Sequence, residues 1–202
     1  RIRVAVNGAL GKMGTTVVEA VRNDNSTQLV AGIDKFSKLD CLVFAEEKIP
    51  IYKSLDECFS KHHKIEVIVD FTNADGVAEA VEKCAENKVN LVSGSTGYDD
   101  SLVDRADYVS KHNGIGIVLA PNFAIGAVLL GVVSKIIAPF FDYVDIMESH
   151  HDEKLDSPSG TAISLAESIL SGRKNDLRVT ETELEKIAGK CGGQYKGVSI
   201  HS

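Results

Sequence analysis

Residues 2 to 14, Ile2-Arg-Val-Ala-Val-Asn-Gly8-Ala-Leu-Gly11-Lys-Met-Gly14, form a short β-branched run that stops at Asn7-Gly8 and then places a glycine at every third position. Val17, Val18 and Val21 follow at helical spacing, so the stretch predicts strand, glycine turn and helix. The glycines let the turn be tight and let the helix start approach a pyrophosphate. A second apolar strand, Leu29 to Ile33, ends at Asp34, where an acid that hydrogen-bonds a ribose is expected. The spacing is G-x-x-G-x-x-G rather than G-x-G-x-x-G, and the acid lies further along than the usual twenty or so residues. A glycine-rich turn that merely ties a strand to a helix would explain the glycines alone; the strand context and the acid together point to a dinucleotide. Gly8, Ala9, Leu10, Gly11, Lys12, Met13, Gly14, Asp34 and Lys35 are therefore the first candidate cofactor residues.

Outward from that turn, residues 35 to 48 read as a loop with Cys41 to Phe44 packed down. A short strand at Ile49 to Tyr52 and a helix capped by Ser54 lead to the run Ile65 to Phe71, a central parallel strand. A helix with Val77, Ala80, Val81 and Ala85, a strand at Val89 to Val92, a helix from Asp99 to Lys111 and a strand at Ile115 to Leu119 complete a β-α-β alternation. That alternation implies α/β class with a doubly wound parallel sheet. Ligands of such sheets lie beyond the carboxyl ends of the strands, which nominates Phe71-Thr72, Gly94-Ser95-Thr96 and Ala120-Pro121-Asn122-Phe123. Singly, each is also ordinary strand-to-helix turn chemistry.

After Asn122 to Gly126 the rhythm breaks, with an apolar helix from Ala127 to Ala138 that meets Pro139. Two domains are expected, residues 1–122 and 123–202. In the second, an apolar run from Tyr143 to Met147 empties into Glu148-Ser-His150-His151-Asp-Glu-Lys154-Leu-Asp-Ser-Pro-Ser159-Gly160-Thr161-Ala162, and a helix follows with Leu165, Ala166 and Ile169 on one face. A helix start offers unpaired N–H groups and the positive dipole end, which with the Ser159 and Thr161 hydroxyls and Lys154 suits a carboxylate or phosphate. Adjacent histidines on a strand point to opposite faces, so one of the pair would face a ligand and the other support it, unless the strand has already ended. A solvated loop with two surface histidines and a cap from Asp156 or Ser159 is the plainer alternative; the density of His, Lys and hydroxyl groups favours a site. Residues 172 to 194 read as an excursion with a helix around Thr182 to Ala188, and Tyr195 to Ser202 as one strand.

The 202 residues are 44% apolar and 25% charged, with formal charge −7, and no run of eighteen apolar residues occurs. Those values predict a soluble protein without a membrane span and argue against nucleic acid as a partner. Cys41, Cys58, Cys84 and Cys191 are widely spaced, show no ligand pattern for a metal and fit reduced cytoplasmic thiols.

The motif from Glu148 to Ala162, with Gly8 to Gly14, Asp34, Asp70-Phe71-Thr72, Gly94 to Gly97 and Asn122-Phe123, resembles the dihydrodipicolinate reductase family over nearly the whole chain. E-x-H-H-x-x-K-x-D-x-P-S-G-T-A is met at every fixed position. The resemblance implies a Rossmann-type domain joined to a smaller α+β substrate and oligomerisation domain, a homotetramer when full length, and hydride transfer from NADH or NADPH to a cyclic dicarboxylate in diaminopimelate and lysine biosynthesis. It implies His150 as proton donor or acceptor and Lys154 as second proton donor. His151, Gly160 and Thr161 would hold substrate carboxylate, with Ser159 beside them. Gly94-Ser95-Thr96 stands where the family has Gly-Thr-Thr, and the chain stops at His201-Ser202 where the family continues for several strands. A related imine or oxo-acid reductase, or a redox sensor that binds dinucleotide without turnover, are the competing functions.

Overall fold

A computed structural model describes residues 1–45, 47–61, 64–120, 122–150, 157–179 and 192–202. The chain divides into two compact units, Arg1–Pro121 and Asn122–Ser202.

In the first unit, β1 (Ile2–Asn7), β2 (Thr27–Ile33), β4 (Glu47–Tyr52), β5 (Val67–Asp70), β6 (Asn90–Ser93) and β7 (Ile117–Leu119) are mutually parallel, and β3 (Cys41–Phe44) joins antiparallel at one edge. The order β3-β4-β2-β1-β5-β6-β7 reverses direction at β1, as a doubly wound sheet requires. Alternation along β1 sorts the core. Val4 and Val6 meet Val18 of α1 (Lys12–Asn23) and Leu29 on one face, while Ala5 meets Ile33, Ile68, Val77 and Leu91 on the other. That second face is covered by α2 (Leu55–Lys61), α3 (Ala74–Asn87) and α4 (Asp100–Asn113). Cys58 and Cys84 lie in the same layer, and burial, aided by the nearby Glu57 and Asp70 charges respectively, pushes each thiol up to about 12.

The loop expected over residues 35 to 48 is in part a hairpin, with Cys41 opposite Pro50 and Phe44 opposite Glu47. Leu42 and Phe44 pack on the α1 layer, and the Arg22 guanidinium sits 3.5 Å over the Phe44 ring. Burying those two side chains is what turns a polar stretch into an edge strand.

The second unit pairs α5 (Ile125–Ile137) with α6 (Gly160–Ser171) and carries a small mixed sheet in the order β8 (Asp145–Met147), β10 (Val198–His201), β9 (Gly193–Tyr195). Its core is Ala138, Ile146, Ala162, Ala166, Ile169, Leu177, Val198 and Ile200. The single strand expected at Tyr195 to Ser202 is instead the second half of a hairpin. Lys196 and Gly197 both take positive φ, 50° and 88°, the two-residue turn whose twist matches paired strands. The helix expected around Thr182 to Ala188 lies outside the described residues. Ile125, Val128, Leu129, Val132, Val133 and Ile136 of α5 are exposed, and no residue of α5 is buried. No helix among the described residues is long and apolar enough to cross a membrane.

Gly14 packs so closely under the first turn that a Cβ there would overlap the Gly8 carbonyl, whereas one at Gly126, in the first turn of α5, would meet open space. Gly14→Ala is expected to destabilise the protein by about 1–3 kcal/mol and Gly126→Ala to stay within about 0.5 kcal/mol, measured as unfolding midpoints in denaturant.

Candidate active site

The glycine turn is held from below. Gly8 and Ala9 donate their amides to the Ile33 carbonyl at 2.8 and 3.1 Å, and Gly11 donates to Gly8 at 3.0 Å. Gly8 has φ 78°, and a Cβ there would strike the Phe71 carbonyl, so only glycine fits. α2, α3, α4 and α6 begin with side-chain caps from Ser54, Asn73, Asp99 and Ser159, but α1 begins at Gly11 with none. The Lys12 and Met13 amides have no partner among the described residues. An uncapped helix start behind a glycine turn fits the pyrophosphate of a dinucleotide.

Asp34 lies just beyond β2. One carboxylate oxygen accepts the Leu10 amide and the other the Phe36 amide, each at 3.1 Å. A carboxylate has about four lone-pair sites, so two remain for ribose hydroxyls. A cleft of about 510 Å³ opens here, lined by Asn7, Gly8, Gly11, Asp34, Lys35 and Phe36, with Lys53, Phe71, Thr72 and Asn73 along its other side. That volume is the size of a small-molecule pocket. Phe36 is 87% exposed and offers a ring face on which a flat base can lie.

Of the predicted cofactor residues, Gly8, Gly11, Asp34, Lys35, Phe71 and Thr72 line that cleft. Leu10 reaches it only through its amide on Asp34. Lys12 and Met13 are exposed on the first turn of α1, and Ala9 and Gly14 are buried beneath it. Gly94, Ser95, Thr96 and Ala120 follow β6 and β7, and Pro121 lies outside the described residues. Asn122 and Phe123 belong to the second unit. Sequence reasoning missed Asn7, Lys53, Ser54 and Asn73 as lining residues; their place at the end of β1 and just past β4 and β5 was the available signal.

Beneath the rim, Asp70 is fully buried at the end of β5. Its Oδ1 accepts from Asn7 Nδ2 and Thr72 Oγ1, both at 2.8 Å, and its Oδ2 from the hydroxyls of Ser93 and Ser95, both at 2.7 Å. Ser95 Oγ also accepts the Thr72 amide at 2.8 Å, locking the turn after β5 to the turn after β6. The hydroxyl at position 95 is therefore structural.

In the second unit β8 ends at Met147, three residues before His150, so the alternation expected of two strand histidines does not apply. His150 is exposed, with Nδ1 3.9 Å from Glu148 Oε2. His151, Lys154 and Asp156 lie outside the described residues. Glu148 and Ser159 are joined directly: the Ser159 amide donates to Glu148 Oε1 at 2.7 Å, and the Ser159 hydroxyl donates to Oε2 in a short hydrogen bond. Although burial pushes the Glu148 carboxyl up, hydrogen bonds from the Ser159 hydroxyl and amide and the Ser202 hydroxyl, with His150 nearby, hold it below the ordinary glutamate range. Ser159 caps α6 by accepting the Ala162 amide at 3.1 Å. The Gly160 and Thr161 amides have no partner among the described residues, and Asn122 Nδ2 donates to Thr161 Oγ1 at 3.3 Å. The arrangement offers two amides and a hydroxyl to an anion, with the His150 imidazole 3.9 Å from Glu148.

Two family models match, described as "Dihydrodipicolinate reductase, N-terminus" over residues 2–123 and "Dihydrodipicolinate reductase, C-terminus" over residues 125–201. The chain is 38% identical over 208 residues to the 4-hydroxy-tetrahydrodipicolinate reductase of Oceanobacillus iheyensis, covering all of this chain and 77% of the relative. With that of Bacillus pumilus it shares 35% over 204 residues, covering all of this chain and 76% of the relative. Among solved structures, a dipicolinate-bound dihydrodipicolinate reductase from Paenisporosarcina sp. TG-14 superposes with a TM-score of 0.80 at 35% identity, over 99% of this chain and 77% of that one.

Asp70→Asn replaces one acceptor oxygen with an NH2 that faces other donors, leaving at least one buried donor unpaired. It is expected to lower unfolding stability by about 1–3 kcal/mol and to weaken dinucleotide binding, read by calorimetric titration. Wild-type stability and affinity in this variant would remove Asp70 as the anchor of the rim.

Proposed function

This chain belongs to the dihydrodipicolinate reductase family, and from that premise we propose how its residues divide the work. It is an NADH- or NADPH-dependent 4-hydroxy-tetrahydrodipicolinate reductase of diaminopimelate and lysine biosynthesis. Bound reduced nicotinamide supplies the hydride. Residues 1–122 act as the dinucleotide-binding domain: the Lys12 and Met13 amides bind pyrophosphate, Asp34 accepts from the ribose hydroxyls, and Lys35 flanks them. Leu10, Phe71, Thr72, Gly94, Thr96 and Ala120 shape the remaining cofactor contacts, with Ser95 fixing the turn beneath them.

Residues 123–202 act on a ring dicarboxylate. The observation that carries this assignment is the start of α6, where Ser159 has committed its donors to Glu148 and its acceptor to Ala162, so that the Gly160 and Thr161 amides are left for a substrate carboxylate. Hydride addition to a conjugated imine builds negative charge, which a cation stabilises and a proton quenches. His150 donates or accepts the proton and Lys154 is the second proton donor, its charge also serving as the cation, while His151 adds a further carboxylate contact; the proton and carboxylate roles rest on the family motif. At full length the protein acts in the cytoplasm as a homotetramer. Light scattering tests the assembly.

Asp34 accepts hydrogen bonds from ribose hydroxyls but repels a 2′-phosphate, and Lys35 and Lys12 offset that repulsion. NADH and NADPH are both expected to serve, with kcat/KM ratios inside about a hundredfold, roughly 2.7 kcal/mol. A larger NADPH preference in steady-state assays would contradict the role given to Asp34.

His150→Gln is expected chiefly to lower turnover, and Thr161→Val chiefly to raise the substrate KM by one to two decades, about 1.5–3 kcal/mol for a hydrogen bond to a charged group. Lys154→Ala should do both. Following nicotinamide absorbance with freshly generated substrate reads all three, and the same assay separates a reductase from a sensor that binds without oxidising its cofactor.

A further inference from the structure

We propose that Glu148 is a positioning residue for the substrate carboxylate: it takes both donors of Ser159 and so fixes the start of α6 with the Gly160 and Thr161 amides free. This rests on those two amides being the carboxylate site.

Glu148 has a side chain only 12% exposed, and its own amide donates to the His201 carbonyl at 2.9 Å, tying it to β10. Its carboxylate accepts from the Ser159 amide, the Ser159 hydroxyl and, at 2.8 Å, the Ser202 hydroxyl. Two consequences follow for Ser159, itself 5% exposed. Its one hydroxyl proton is directed at Glu148, so a lone pair faces the Ala162 amide and closes the cap. A hydroxyl that donates to a carboxylate is also a stronger acceptor, which tightens that cap. Without the carboxylate the hydroxyl is free to rotate, and the first turn loses its fixed entry.

A carboxylate at a helix start ordinarily occupies the anion position itself. Glu148 does not, because it binds the capping residue's own donors, one residue ahead of the free amides, and distributes its charge over Ser159 and Ser202. Two effects oppose each other. The negative charge repels an incoming carboxylate, and the fixed geometry favours it. Amides aimed in advance at the ligand need no reordering when it binds, so the geometric effect is the larger one here and removing the charge weakens binding.

The test uses dipicolinate, a ring dicarboxylate, with the 202-residue chain, following backbone amides by NMR. In the wild type the Gly160 and Thr161 amide signals should move on titration; if they stay still, the carboxylate site is misassigned and the proposal falls with it. In Glu148→Gln the same signals should move far less and the dipicolinate Kd should rise at least tenfold, with Ala166 and Ile169 signals in their wild-type positions showing that the body of α6 is intact. The effect should run through Ser159, so Glu148→Gln added to Ser159→Ala should weaken binding no more than Ser159→Ala alone. Wild-type or tighter binding by Glu148→Gln, while Thr161→Val still weakens it, overturns the positioning role and leaves the carboxylate site standing. Should Glu148→Gln lose the α6 signals, Ser159→Ala decides: binding weakened severalfold supports the proposal, and wild-type affinity overturns it.

Discussion

A single buried carboxylate organises the edge of the sheet. Asp70 has no contact with solvent, and a charge in such a place is tolerated only when its lone pairs are taken. Asn7, Thr72, Ser93 and Ser95 take them, and these four residues come from the ends of β1, β5 and β6 or the turns just past them. The rim is thereby set as one piece. With Thr72 and Ser95 locked together, Phe71 is carried into fixed surroundings, where its carbonyl closes off any side chain at Gly8 and its ring any side chain at Gly94.

The number of lone pairs taken by described residues separates carboxylates that build the protein from one with acceptor capacity to spare. Asp70 has four donors, all from the protein. Glu148 has three from Ser159 and Ser202, with an imidazole nearby. Among the described residues Asp34 has two, both backbone amides, and it borders the cleft. Residue type alone would rank these three acids equally.

That difference also marks what could be read from the residues in order. Periodicity and punctuation carry the alternating strands and helices of the first unit, since Val4, Val6, Ile68 and Leu91 announce their faces and Ser54 and Asp99 announce helix starts. They do not carry the β3–β4 hairpin, because its turn at Ala45 has no Gly or Asn and its strand gains stability only from Leu42 and Phe44 packing on α1. Nor do they carry the split at Lys196-Gly197, where a lone glycine inside a short strand pattern is the one punctuation and the two-residue turn is fixed by positive φ at both residues. The glycine turn, Asp34 and the motif at Glu148 to Ala162 stand out in the sequence because their chemistry is concentrated in short stretches. Asp70 was named in the family motif but not seen as a hub. Its partners at positions 7, 72, 93 and 95 are far apart in sequence and unite only when parallel strands align.

Cys84 sits directly in this layer, fully buried on α3 with its thiol pushed up to about 12 by burial and by the Asp70 charge. A thiol so protonated is unreactive toward alkylating reagents while the layer is closed, because the thiolate is the nucleophile. Its labelling therefore requires an opening of the first unit. The rate of modification at that one sulfur becomes a clock for how often the sheet's helical face separates, and dinucleotide bound at the rim should slow it in proportion to the affinity for the closed state.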